Sequence, residues 1–293
     1  MNNKRLLPYG MYILSLLIWG TNGFLVSHIS LSSSQIVLMR TLIGGVLLTC
    51  LVLLFGGFDK KSIRADRVPL LLGGVALGLN WIALFEAYRV LNVSLATLIY
   101  YVGPILVLLL SPILFRERLT GRRVISVLVV AVGIVLISGS IASAGMNPLG
   151  VLAAALSAIF YAALIIFNKR IVSTSGMQTA AIELDVAFVV VLIYTLCTAG
   201  LPHITVGDLP YVAALGFVNT ALAYLLYFSG LQKLSAQSAA LISYLDPVAA
   251  LLCSALLLHE TMTPMQVVGA VLIIGGAMLG EIKRQKSGLE NRL

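Results

Sequence analysis

Charge is scarce in this chain. Only 10% of its 293 residues are Asp, Glu, Lys or Arg, against 60% that are hydrophobic. A soluble domain carries about 25% charged residues, so a water-facing globule is excluded. Cysteine is nearly absent: Cys50, Cys197 and Cys253 each sit alone inside an apolar run. An odd count without a CxxC pair argues against a disulfide framework or a metal site. There is no HExxH, GxSxG or Walker motif, and His28, His203 and His259 fall at the ends of apolar runs. No enzyme, no cofactor, no metal and no direct use of ATP is expected.

Acidic residues are scarcer than basic ones, 11 against 19, for a net charge of +8. In a soluble protein that excess suggests nucleic acid. Here the basic residues lie between apolar runs, so membrane lipid is the expected neighbour and nucleic acid is not.

Long apolar runs are abundant. Ten candidate spans lie near 6–28, 35–56, 68–90, 93–115, 122–140, 148–168, 179–199, 209–231, 235–258 and 264–282; about 20 apolar residues suffice to cross a bilayer. The first run is too long for the apolar core of a signal peptide and lacks a small-residue cleavage site, so it reads as a membrane helix. Counting the N-terminus as cytoplasmic places seventeen of the nineteen Lys and Arg on that side. Arg89 is alone opposite and Arg40 lies within span two. By the positive-inside rule both termini are expected in the cytoplasm of a bacterial inner-membrane protein.

The chain repeats itself at an offset of 143. Leu91 meets Leu234, Ala96 meets Ala239, Tyr101 meets Tyr244, Pro104 meets Pro247, Glu117 meets Glu260 and Gly133 meets Gly276. The Tyr–Pro–Glu set at identical spacing is the strong part of the match. The units are 1–143 and 144–283, with a cytoplasmic tail at 284–293. Five spans per unit is an odd number, so the second unit enters the membrane inverted. The expected fold class is an all-α membrane protein of ten transmembrane helices in two inverted five-helix repeats, an architecture suited to alternating access.

These tracts, from Tyr101 through Pro104 to Arg116-Glu117-Arg118 and from Tyr244 through Asp246-Pro247 to His259-Glu260, resemble the drug/metabolite transporter superfamily and its ten-span EamA-type exporters. The resemblance covers almost the whole chain. It implies export of a small metabolite such as an amino acid or amine, with the first four helices of each half lining a central cavity.

Ionisable groups inside a bilayer are costly and need a reason. Asp246 is the foremost candidate: it is mid-span, directly before Pro247, and its repeat partner is Gly103. Pro104 and Pro247 are expected kinks that free backbone carbonyls. Arg40 is read either as an anion-binding group or as a bundle brace; its repeat partner is Glu183. Glu86 and Arg89 can pair at i, i+3, with Glu86 and Asp246 as candidate proton or ion sites. Glu183 and Asp185 read first as helix-start acids. Tyr101 and Tyr244, Trp81, Asn80, Asn219, Tyr224, Trp19 and Asn22 are candidate cavity-lining or substrate-binding positions, with core packing as the alternative. Gly74-xxx-Gly78 and Gly276-xxx-Gly280 are small-residue faces for close helix contact within the chain or in a homodimer, so a monomer and a homodimer both stay open. A small-molecule carrier is the leading reading. Its competitors are a sugar-phosphate or nucleotide-sugar carrier, disfavoured because spans seven to ten carry no basic residue, and a channel-like or non-transporting membrane subunit.

Overall fold

The computed structural model describes residues 3–91, 93–138, 147–257, 259 and 262–281. Glu260 and the tail at 284–293 lie outside them. Every regular element among the described residues is helical: α1 (Asn3–Gly20), α2 (Asn22–Val26), α3 (Ser33–Leu54), α4 (Lys60–Val90), α5 (Val93–Tyr100), α6 (Val102–Phe115), α7 (Gly121–Ser138), α8 (Pro148–Asn168), α9 (Gly176–Thr198), α10 (Leu209–Gly216), a π-helical segment (Phe217–Leu222), α11 (Ala223–Leu231), α12 (Ala236–Ser243), α13 (Leu245–Leu257) and α14 (Pro264–Glu281).

Eight helical segments among these are long and apolar enough to cross a membrane, and Pro264–Gly280 is a shorter apolar helix. Their outer faces are apolar as well. Leu128 is 62% exposed and Val271 64%, surface that lipid covers and water would not tolerate on this scale. The protein is a multi-pass membrane protein.

Several elements differ from the sequence expectation, each for a local reason. Span one is two helices, because α1 stops at Gly20 and Thr21 turns its hydroxyl back onto the Ile18 carbonyl at 2.7 Å. Span three begins at Lys60, eight residues before its apolar run, because Asp59 caps it by accepting from the Lys61 N–H at 3.0 Å. Glu183 and Asp185 are not helix-start acids. Ser175 caps α9, which begins at Gly176, and the first turn holds no acidic residue. Spans four and nine are each broken at a tyrosine, Tyr101 and Tyr244. Proline explains both breaks. A proline clashes with the carbonyl four residues back but fits the first turn of a helix. Pro104 and Pro247 each fall at the third residue of the restarted helices α6 and α13, leaving Tyr100 and Ser243 at the ends of the helices before.

The 143-residue offset is visible in the contacts as an exchange of partners. Gln178 donates to the Gly57 carbonyl at 3.1 Å, and Gln35 to the Gly200 carbonyl at 3.5 Å. Gly57 and Gly200 both take left-handed backbone, φ 77° and 70°. Arg116 and His259 do so as well, each at φ 55°. The acceptors of the Ser173 and Ser30 N–H groups, Asp66 and Asp208, also correspond within one residue, each bond being 2.8 Å. A pair i–j in one half answered by j–i in the other is what a two-fold relation between halves produces. The small-residue faces are used inside the chain: α4 brings Gly74 and Gly78 against Val186 and Val190 of α9, and α14 brings Gly276 against Val130 of α7.

The main core lies where the halves meet. Tyr12, Leu16, Leu48, Leu77, Ile165, Leu184, Tyr227 and Phe228 are buried there, from both halves.

Candidate functional site: an aromatic cavity between the halves

The broken spans border a small cavity of about 40 Å³, lined by Leu16, Trp19, Tyr100, Tyr101, Pro104, Tyr161, Ser243 and Asp246. These come from α1 and the α5–α6 break in the first half, and from α8 and the α12–α13 break in the second. At the offset of 143, Trp19 corresponds to Ala162 beside Tyr161, Tyr100 to Ser243, and Gly103 to Asp246. The cavity therefore lies where symmetry-related helices face one another, yet its chemistry is not symmetric.

Four aromatic rings and one carboxylate dominate the lining. Tyr101 and Asp246 face the cavity together. Tyr100 packs edge-on to Tyr161, centroids 5.4 Å apart. The Ser243 hydroxyl is held at the wall: it donates to the Ala239 carbonyl at 2.8 Å, accepts from Tyr161 at 2.7 Å and lies 2.7 Å from the Tyr12 hydroxyl. Gly103 completes the shape. A Cβ there would sit 2.8 Å from the Tyr161 ring and 3.0 Å from the Ala158 carbonyl, so only glycine lets α8 bring Tyr161 to the cavity. Among the described residues, no Lys, Arg or His lines it.

A second cluster adjoins it through Trp19. The π-helical segment, whose wider turn leaves backbone groups without their usual helical partners, presents the Asn219 carbonyl. That oxygen accepts from Trp19 Nε1 at 2.9 Å and from Arg40 Nη2 at 3.2 Å. Arg40 Nε donates to Thr220 Oγ1 at 3.0 Å, and its guanidinium carbon lies 5.2 Å from the Trp81 ring centre. The Asn219 side chain ties Ile18, Thr21 and Asn22 of span one, with Asn22 Oδ1 at 3.0 Å. Tyr224 packs on Trp19 at 4.9 Å and edge-on to Trp81 at 5.7 Å.

Of the residues singled out from sequence, Trp19, Tyr101, Pro104 and Asp246 meet at the cavity, and Arg40, Trp81, Asn219, Tyr224 and Asn22 gather in the adjoining cluster. Others lie elsewhere. Tyr244 is buried against Val130 and Ile273 and donates to the Tyr101 carbonyl at 3.0 Å. Asn80 locks α4 to α8 by donating to the Ser157 carbonyl at 2.8 Å. Glu86 pairs with Arg89 at 3.0 Å and accepts from Tyr194, off the cavity. Pro247 is buried and does not line it. Tyr100, Tyr161, Ser243 and Leu16 were missed. Two of them had a signal, since Tyr100 and Ser243 stand four residues before the two prolines.

A family model describing the EamA-like transporter family matches the chain twice, over residues 6–139 and 148–280. The chain belongs to the EamA-like transporter family. Its relatives among EamA proteins include YxxF, an uncharacterised transporter of Bacillus subtilis, 30% identical over 93% of this chain and 89% of that one. A Salmonella typhimurium protein named "Probable amino-acid metabolite efflux pump" is 29% identical over 90% of this chain and 91% of that one. Protein PecM of Dickeya dadantii is 26% identical over 89% and 88%. A crystal structure at 20% identity has the same fold, with a TM-score of 0.81 over 92% of this chain and 96% of the other. As an EamA protein the chain is a membrane transporter and not an enzyme.

Proposed function

We propose that this chain exports a small amine or amino acid across the bacterial inner membrane by alternating access. It does so as a ten-span carrier with both termini in the cytoplasm, its substrate sitting in the cavity on α1, α5–α6, α8 and α12–α13. The observation that carries the reading is Asp246: among the described residues it is the one carboxylate on an aromatic wall, and none of them brings a fixed cation to the same space. Aromatic faces attract ammonium groups, by about 0.5–2 kcal/mol per ring. A carboxylate adds a charge-assisted hydrogen bond. The efflux role in the name of the Salmonella relative supports the direction and the substrate class. A phosphorylated sugar or nucleotide fits poorly, because Arg40 is turned to Thr220, Asn219 and Trp81 and does not line the cavity.

The test is a thermal-shift screen of purified protein with phenethylamine, tyramine, L-phenylalanine, L-threonine and glucose 6-phosphate, since a ligand that binds the folded state raises the midpoint. Hits are followed by saturable flux of the labelled compound in liposomes. Stabilisation and saturable flux with an amine or amino acid are expected. Stabilisation by the sugar phosphate alone would overturn the reading, and unsaturable flux would make the protein a channel.

A further inference from the structure

A second carboxylate, away from the cavity, has been given no role. Glu183 of α9 is fully buried. Its side-chain partner is Asn168 of α8, whose Nδ2 lies 3.0 Å from both carboxylate oxygens. Few groups face it. From α4 come Gly73 and Gly74, packed so tightly that a Cβ on Gly73 would lie 2.2 Å from Oε1. From α11, the phenol of Tyr224 is in electrostatic reach. On its own helix Asp185 is turned away to α3, accepting from Thr49 at 2.7 Å and lying against Gly45. Lys169, next to Asn168, points its ammonium at the Leu231 carbonyl, 3.2 Å away. Among the described residues no ion pair involves Glu183; the recorded one joins Arg89 to Glu86.

An ionised carboxylate buried with one neutral amide is very costly, and such groups take up a proton instead. The amide points the same way. Asn168 Oδ1 is buried with no hydrogen-bond partner. A protonated carboxyl, and only a protonated one, can give its O–H to that oxygen as the amide turns. Asn168 and Glu183 then form a reciprocal neutral pair, with both amide and acid satisfied.

The position gives the proton a use. Gly73 belongs to the first half, Glu183 and Asn168 to the second, so the carboxyl is sealed where the halves press together. We infer that Glu183, with Asn168 as its positioning partner, is the proton-carrying site of this transporter: movement of one half against the other parts α4 from α9 and lets water reach it, its O–H bond breaks while the halves are open to one side and the proton passes to water there, and the carboxylate takes a proton from water when they open to the opposite side, so one proton crosses per cycle. The idea rests on the carrier reading above. Arg40, at the offset position in the first half, cannot act this way. Its guanidinium stays charged and is held by Thr220, Asn219 and Trp81.

Infrared spectra of the purified full chain in D2O at neutral pH test the buried proton without any substrate. A protonated-carboxyl C=O band is expected that Glu183→Gln removes and Asn168→Leu shifts, while Asp246→Asn leaves that component in place. Absence of the band in the unsubstituted protein overturns the inference, and so does a band unchanged in both Glu183→Gln and Asn168→Leu. In liposomes loaded with a pH dye, Glu183→Gln is expected to keep exchange of labelled phenethylamine while losing at least ten-fold of its pH-gradient-driven accumulation. Retained gradient-driven accumulation, or a requirement for sodium in place of a pH gradient, overturns it as well. If the unsubstituted protein moves no phenethylamine, the amine reading fails by itself and the infrared result still decides the protonation of Glu183.

Discussion

Gly103 and Asp246 occupy the same place in the two halves, each one residue before the proline that restarts a broken span. At Gly103 the missing side chain lets Tyr161 approach from α8. At Asp246 a carboxylate faces the same cavity. The skeleton around them is shared: both spans break at a tyrosine, and glutamine-to-carbonyl and serine-to-aspartate ties recur with their partners exchanged. A duplicated frame can move symmetrically while its binding groups stay unique, because frame and site are set by different residues. One half supplies room and the other supplies charge.

The sharpest way to break that comparison is to remove the charge. Asp246→Asn is expected to weaken amine binding by roughly ten- to hundred-fold, the loss of a hydrogen bond to a charged group worth about 1.5–3 kcal/mol, while the thermal midpoint without ligand does not fall. Equal affinity in direct binding titrations would separate Asp246 from the substrate. Filling the room comes next. Gly103→Ala forces the Tyr161 ring or the α8 backbone to shift, at a cost of about 1–3 kcal/mol. It should lower the midpoint in scanning fluorimetry, and an unchanged midpoint would show that the approach of Tyr161 is loose.

The ties outside the membrane respond to pH. Asp208, just before α10, has its carboxyl held below the usual carboxylate range, first by the Ser30 N–H and then by the Thr205 hydroxyl and N–H. The folded protein thus binds that proton more weakly than the unfolded chain. The stabilisation is fully present above about pH 4, the ordinary carboxylate value, and fades as pH falls toward the folded one. Asp208→Asn should be less stable than the parent at pH 6, with a gap that narrows below pH 4. A gap constant with pH would contradict this. The smallest effect concerns the paired glutamines: Gln178→Ala should cost about 0.5–1.5 kcal/mol, and Gln35→Ala more, because Gln35 also reaches the Ala199 and Leu201 carbonyls at 3.3 Å and accepts from the Ser32 N–H at 3.1 Å. Equal denaturation midpoints for the two variants would show that these added bonds carry no load.

Much of the frame was legible in sequence because it depends on period and spacing. Apolar runs located the helices, and the Tyr–Pro pairs marked where spans four and nine break. What stayed hidden depends on side chains meeting across helices. The π-helical segment at Phe217–Leu222 has no local signature, yet it turns the Asn219 carbonyl to Trp19 and Arg40. Tyr161 reads as an ordinary apolar-helix residue until Gly103 is seen opposite it. Glu183 looked like a helix-start acid because the apolar run begins near it. The helix starts at Gly176, earlier than hydropathy suggests, since Ser175 caps it.

The cavity on α1, α5–α6, α8 and α12–α13 is the proposed substrate site, with Asp246 as its charge. It is tested most directly by placing a single cysteine at Leu16, in a background where Cys50, Cys197 and Cys253 are serine, and timing its modification by a small thiol reagent. Phenethylamine, or whichever amine stabilises the protein, should slow modification several-fold, and adding Asp246→Asn should abolish that protection. A modification rate indifferent to the amine that the same protein transports would place the substrate elsewhere.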